Sequence, residues 1–144
     1  MSRLLSIYDV CKINSESITQ KDEFDFINYL DTSNLTKNKI DIIQRFDKDF
    51  PSRAKRKVKK NTILYSTVRP SQEHFGIIEE NDVENLIVST GFLTIDVCDE
   101  GICPKYLYYK LTQPAITNFI NSIAENSVSA YPSIKPEVVG NLIF

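Results

Sequence analysis

Six of the eight residues at positions 53–60 are cationic: Arg53, Lys55, Arg56, Lys57, Lys59 and Lys60. That density suits a loop or strand edge facing a polyanion, since each cation can neutralise one phosphate. A solvated charged loop is the other reading of the same run. The wider block 37–60 holds ten Lys/Arg against three Asp, a local charge of +7, while the rest of the chain carries −9, giving −2 overall. Nothing comparable marks a catalytic centre. His74 is the only histidine, so a nucleophilic triad would need it together with Ser71 or a cysteine and a carboxylate, and no spacing marks such a set. Cys98 and Cys103 plus one distant histidine supply too few strong ligands for a closed zinc site. Glu79, Glu80, Asp82 and Glu84 read as a solvated turn, and no Gly-rich phosphate loop or dinucleotide fingerprint occurs. The residues describe a binding module without cofactor or metal, rather than an enzyme.

Composition sets the frame for these groups. At 144 residues, with 42% hydrophobic and 25% charged, the chain is expected to fold as one domain over 1–144. No apolar run nears the ~18 residues of a membrane span, and the first residues lack the apolar stretch and cleavage site of a secretory signal. Three cysteines cannot all pair within one chain, which suits a reducing compartment, so a cytoplasmic location is expected.

Several elements must position the basic run. A short helix is expected within 4–11, strands at 26–30 and 39–43, and a turn at 31–34. Residues 50–52 introduce the basic run as irregular chain, and the β-branched and aromatic segment 62–68 forms a strand stopped by Arg69-Pro70-Ser71. From 86 to 97 the apolar positions change parity, from Leu86, Val88 and Phe92 to Leu93, Ile95 and Val97. A bulge near Gly91 within one strand would account for this. Pro104 and Pro114 suit first helical positions, and Ile116, Phe119, Ile120, Ile123 and Ala124 follow the spacing of an apolar helical face expected to be core. Strands followed by helices, without regular alternation, give an α+β fold: a twisted, largely antiparallel sheet with C-terminal helices.

The stretch 59–70, containing Tyr65-Ser66-Thr67-Val68-Arg69-Pro70, resembles the strand and S-T-V-R-P segment of type I restriction-modification specificity subunits. Three further stretches agree in family order. Residues 88–95, with Ser89-Thr90-Gly91-Phe92, resemble the family's S-T-G-F strand, and 105–111 resemble its YLYYYL helix. Residues 124–144 resemble its A-x-G-S-x-x-x-x-I-S loop, short helix and apolar strand. Tyr29-Leu30-Asp31-Thr32-Ser33 also resembles an upstream family segment. Asn126 replaces the usual glycine, which is tolerable because asparagine also enters left-handed turns, and Lys135 replaces the usual serine.

The resemblance implies a target recognition domain with a DNA methylase specificity domain-like fold and no activity of its own. Such a domain reads one half of a split double-stranded DNA target for a modification (methyltransferase) subunit and a restriction subunit, and family members usually carry two such domains. This chain reads as one of them, a fragment or half of a specificity subunit without the family's long helices. The cations at 53–60 would contact phosphates and fix the register. Arg69, Ser71, Gln72, His74, Asn126, Ser127 and Tyr131 are the candidates for base readout: Arg69 matches guanine, and Gln72 or Asn126 matches adenine. Arg69 could equally be a structural residue of the motif, and Tyr131 could pack on a base or on the domain. A half-size subunit acting as a homodimer on a palindromic split target, or a general polyanion or RNA-binding module, are the competing readings.

Overall fold

The computed structural model describes residues 4–80, 83–127 and 132–144. Its strands are β1 (Cys11–Ile13), β2 (Ile27–Leu30), β3 (Leu35–Thr36), β4 (Lys39–Ile40), β5 (Gln44–Phe46), β6 (Ala54–Lys57), β7 (Ile63–Ser66), β8 (Phe75–Ile77), β9 (Leu86–Ser89) and β10 (Phe92–Val97). The helices are α1 (Ile7–Val10), α2 (Pro104–Leu111), α3 (Pro114–Glu125) and α4 (Pro136–Gly140). The first sheet has the antiparallel order β1-β10-β7-β8. The second has the order β5-β2-β9-β6, antiparallel except where β2 runs parallel to β9. A small hairpin, β3-β4, completes the strands. The fold is α+β with largely antiparallel pairing and C-terminal helices, as expected from the sequence, but its strands form two four-stranded sheets, one antiparallel and one mixed, where a single sheet was expected.

Alternation along the strands builds the layers. Ile63, Tyr65, Leu93 and Ile95 point to one face of the first sheet, where they pack with Leu107, Leu111 and Ile120 of the helices. Leu64 and Phe92 point to the other face and meet Leu30 and Val88 of the second sheet. Successive residues of a strand face opposite sides, so the first sheet is covered by helices on one side and by the second sheet on the other. Ile27, Tyr29, Ala54 and Ile87 cover the far face of the second sheet beneath Ile18, Phe24 and Phe46.

This layering corrects the expected single bent strand across Gly91. The chain leaves the second sheet after Ser89 and enters the first at Phe92, so 86–97 is two strands in different sheets. Leu86, Val88 and Phe92 all face the space between the sheets, whereas Leu93, Ile95 and Val97 face the helices. The parity change records a crossing between layers. Gly91 is needed for room rather than for an unusual φ: a Cβ there would lie 2.9 Å from Thr32 Cγ2.

Other elements follow their local signals. Ser6 and Asp9 close a capping box at α1, and α2, α3 and α4 each have proline in the first turn. The expected strand at 39–43 is confined to Lys39–Ile40, beside a tight turn at Lys37-Asn38, and Ile40 and Ile42 stay exposed. The basic run, expected as irregular chain, contains strand β6. On α3, Ile120 and Ala124 are buried as expected, but Phe119 is exposed, on an open groove that it lines with Ile123, Val138 and Leu142. Among the described residues, no helix is long and apolar enough to cross a membrane.

Candidate nucleic-acid interface

Strand β6 does not present its cations uniformly. Ala54 pairs with Ser89 and Arg56 with Val88, so Lys55 is an extra residue, a bulge in the ladder. A bulge re-aims the side chains around it. Lys55 is exposed, whereas Arg56 is half-buried and its Nε donates to the Phe92 carbonyl at 3.0 Å. Burial lowers the pKa of the Arg56 guanidinium. Lys57 Nζ lies 2.7 Å from Asp22 Oδ1. That contact, with the Thr19 N–H donating to Asp22 at 2.8 Å, holds the Asp22 carboxyl below its usual value. The backbone outside β6 is covered as well: Ile18 N–H donates to the Lys55 carbonyl at 2.7 Å and Lys57 N–H to the Glu16 carbonyl at 3.0 Å. Arg53, Lys55, Lys59 and Lys60 keep exposed side chains. The run therefore divides into two cations used within the fold and four directed to solvent.

The Thr90-Gly91 turn joins this edge to the segment after β7. Thr90 N–H donates to the Arg53 carbonyl at 2.9 Å, and Thr67 N–H donates to the Gly91 carbonyl at 3.0 Å. Arg53 and the 67–72 segment thus flank one turn, while Lys59 and Lys60 lie beyond the opposite end of β7. Arg69 has φ 47° and ψ 64°, a left-handed conformation that is uncommon outside glycine and asparagine. It leads into a short 3-10 helix, Pro70–Gln72, and Glu73 at its other end is also left-handed, with φ 58°. Ser71 and Gln72 are exposed on this turn.

The loop after α3 is tied to the same place. Val68 bridges Ser133, Arg69 N–H donates to the Pro132 carbonyl at 2.8 Å, and Ile134 N–H donates to the Thr67 carbonyl at 2.9 Å. Ser127 Oγ accepts from the Ser133 N–H at 3.4 Å. Asn126 is exposed at the end of α3, with its Nδ2 donating to the Ser122 carbonyl at 2.9 Å. Arg69, Ser71, Gln72 and Ser127 are therefore gathered on two adjoining segments, with Asn126 beside them. Tyr131 lies outside the described residues.

His74 is placed differently from the other readout candidates. Its Nδ1 lies 2.8 Å from the Leu35 carbonyl and 3.2 Å from Thr36 Oγ1, and its Nε2 lies 3.1 Å from Gln72 Oε1. The ring fastens the turn to hairpin β3-β4. That hairpin brings in Lys37, which no sequence motif marked; its only sequence signal is membership of the basic block.

Among the described residues, no three His, Cys, Asp or Glu side chains gather as a metal site. Burial raises the Cys11 thiol to about 12, leaving little of the thiolate that acts as nucleophile or ligand. The chemistry offered by this surface is cationic and hydrogen-bonding.

The chain matches no family model. It is 34% identical over 95 residues to the type I restriction enzyme HindI specificity subunit of Haemophilus influenzae, a match covering 66% of this chain and 20% of that protein. The HsdS subunit of Thermoanaerobacter tengcongensis superposes on 98% of the chain with a TM-score of 0.77 and 23% identity. A chain from the structure of a type I R-M system superposes on 98% with a TM-score of 0.78 and 22% identity. This chain spans a fifth of the length of the curated relative and 36% of each solved chain. By sequence the chain is similar to part of a type I restriction enzyme specificity subunit, and its fold matches about a third of a solved HsdS chain.

Proposed function

We propose that the chain is a non-catalytic DNA recognition domain of a type I restriction-modification system, reading one half of a split target in the cytoplasm. It does so on behalf of a modification subunit and a restriction subunit, which supply the chemistry. The observation that carries this reading is the convergence at the Thr90-Gly91 turn. Arg53, at one end of a row of exposed cations, and the left-handed Arg69 with Ser71 and Gln72 flank the same few residues. Cations fix the register on the duplex without distinguishing bases. Arg69 and Gln72 have the donor and acceptor pairs to read guanine and adenine edges, with Asn126 and Ser127 alongside. A left-handed arginine costs about 1–3 kcal/mol, which supports a role that depends on where its side chain is held.

Selection from random duplexes, with the chain in complex with its modification subunit, tests the reading. Wild type is expected to enrich one half-site, and Arg69→Ala to lose preference at one base pair at a cost of about 1–3 kcal/mol. Uniform weakening by Arg69→Ala would assign that residue to phosphate. Equal affinity for RNA, heparin and every duplex would overturn sequence reading in favour of a general polyanion-binding module.

A further inference from the structure

We propose that Lys37, at the tip of hairpin β3-β4, is a phosphate contact that sets the register of the Arg69–Gln72 turn, with Glu73 as its partner when DNA is absent. The inference rests on the DNA-reading function proposed above and adds a residue and a control to it.

Lys37 and Asn38 have φ of 47° and 63°, so a two-residue turn with both residues left-handed closes the hairpin. The tip is fastened to the segment that follows Arg69. Lys37 N–H donates to the Glu73 carbonyl at 3.0 Å and Asn38 N–H to the Phe75 carbonyl at 2.8 Å, while Asn38 Oδ1 accepts from the Ile77 N–H at 2.9 Å. His74 adds its contacts to Leu35 and Thr36. The hairpin tip and the turn are therefore fastened together through their backbones, and Lys37 lies beside Glu73, one residue beyond Gln72.

Glycine or asparagine is the cheaper occupant of the first left-handed position. Among the described residues, the lysine side chain gains only an ion pair with Glu73 at 3.7 Å, with the two side chains 67% and 35% exposed. Exposed pairs of this kind contribute little, so the fold does not account for a lysine here. A phosphate arriving at the turn could make a charge-assisted hydrogen bond with the ammonium, which the 3.7 Å separation from Glu73 does not provide, and the like-charged carboxylate would move aside. Glu73 then acts against weakly held DNA and keeps Lys37 from pairing elsewhere.

The test is binding to a mixed-sequence duplex between about 50 and 200 mM salt, for which the target sequence need not be known. Lys37→Gly removes the charge and suits the turn, so a loss of binding would not reflect unfolding; a thermal melt confirms this. It is expected to flatten the salt dependence by about 0.9 in slope, so that about 3- to 4-fold less affinity is lost across that range. Glu73→Gln is expected to tighten binding to every duplex. An unchanged slope in Lys37→Gly, with wild type and Arg69→Ala behaving as proposed, would overturn the Lys37 contact alone. Wild type binding no duplex would overturn both this inference and the function on which it rests.

Discussion

Lys55 and Arg56 are adjacent cations with opposite surroundings, separated by a bulge that turns one outward and the other onto the Phe92 carbonyl. Arg56→Ala removes a half-buried charged donor from the carbonyl of buried Phe92, so it is expected to lower stability by about 1–3 kcal/mol in denaturant titration. Lys55→Ala is expected to leave stability within about 0.5 kcal/mol, while making the salt dependence of DNA binding shallower by about 0.9. The opposite pattern, a stable Arg56→Ala with an altered salt slope, would reverse the division of the basic run. Asp22 gives a pH test. Its folded pKa is depressed by Lys57 and the Thr19 N–H, so its contribution is present above the unfolded carboxylate value of 3.8 and is lost as pH falls through the folded value. Asp22→Asn is expected to flatten that acid limb in thermal melts. At this scale the sequence showed the charges but not their use: six cations in eight positions look alike until Phe92 and Asp22, distant in sequence, are brought against two of them.

The elements differ in how much of their placement is local. Helices α2 and α3 could be read from the chain because Pro104 and Pro114 mark their starts and a 3.6-residue stripe marks the buried side of α3. The exposure of Phe119 could not be read, since it lies on a groove formed with Val138 and Leu142, residues well beyond the end of α3. The crossing at Thr90-Gly91 was visible only as a change of parity. Its cause, two sheets sharing one connection, requires partners far away in sequence: β2 beside β9 and β7 beside β10. Because that crossing also joins the basic edge to the 67–72 segment, its packing should matter to both. A Cβ on Gly91 meets Thr32 Cγ2 at 2.9 Å, so Gly91→Ala is expected to cost about 1–3 kcal/mol from overpacking. Thr32→Ser, which removes that methyl, should recover most of the loss. Without recovery in a double-mutant cycle, the glycine would be required by something other than the Thr32 contact.

Across the whole molecule, the strands and helices supply the buried layers, and Arg53, Arg69, Ser71, Gln72 and Asn126 are exposed on connections near the ends of β7, β9 and α3. The α+β class was legible because strand-like segments precede the proline-started helices, and the motifs at 59–70, 88–95 and 105–111 fall on β7, on β9 and β10, and on α2. The site was less legible. The motif around Arg69 marked a turn that the structure brings beside Ser127 and the Thr90-Gly91 turn, but nothing local placed Lys37 beside it, and the His74 ring, a readout candidate by sequence, faces Leu35 and Gln72. The central claim is that this chain gives a modification enzyme its DNA sequence. Single-molecule sequencing of methylated adenines in the source cell, with the gene for this chain intact and then deleted, tests it most directly. Loss of one split methylated motif on deletion is the predicted result, and an unchanged methylome in cells that express the chain and the modification subunit would contradict the account.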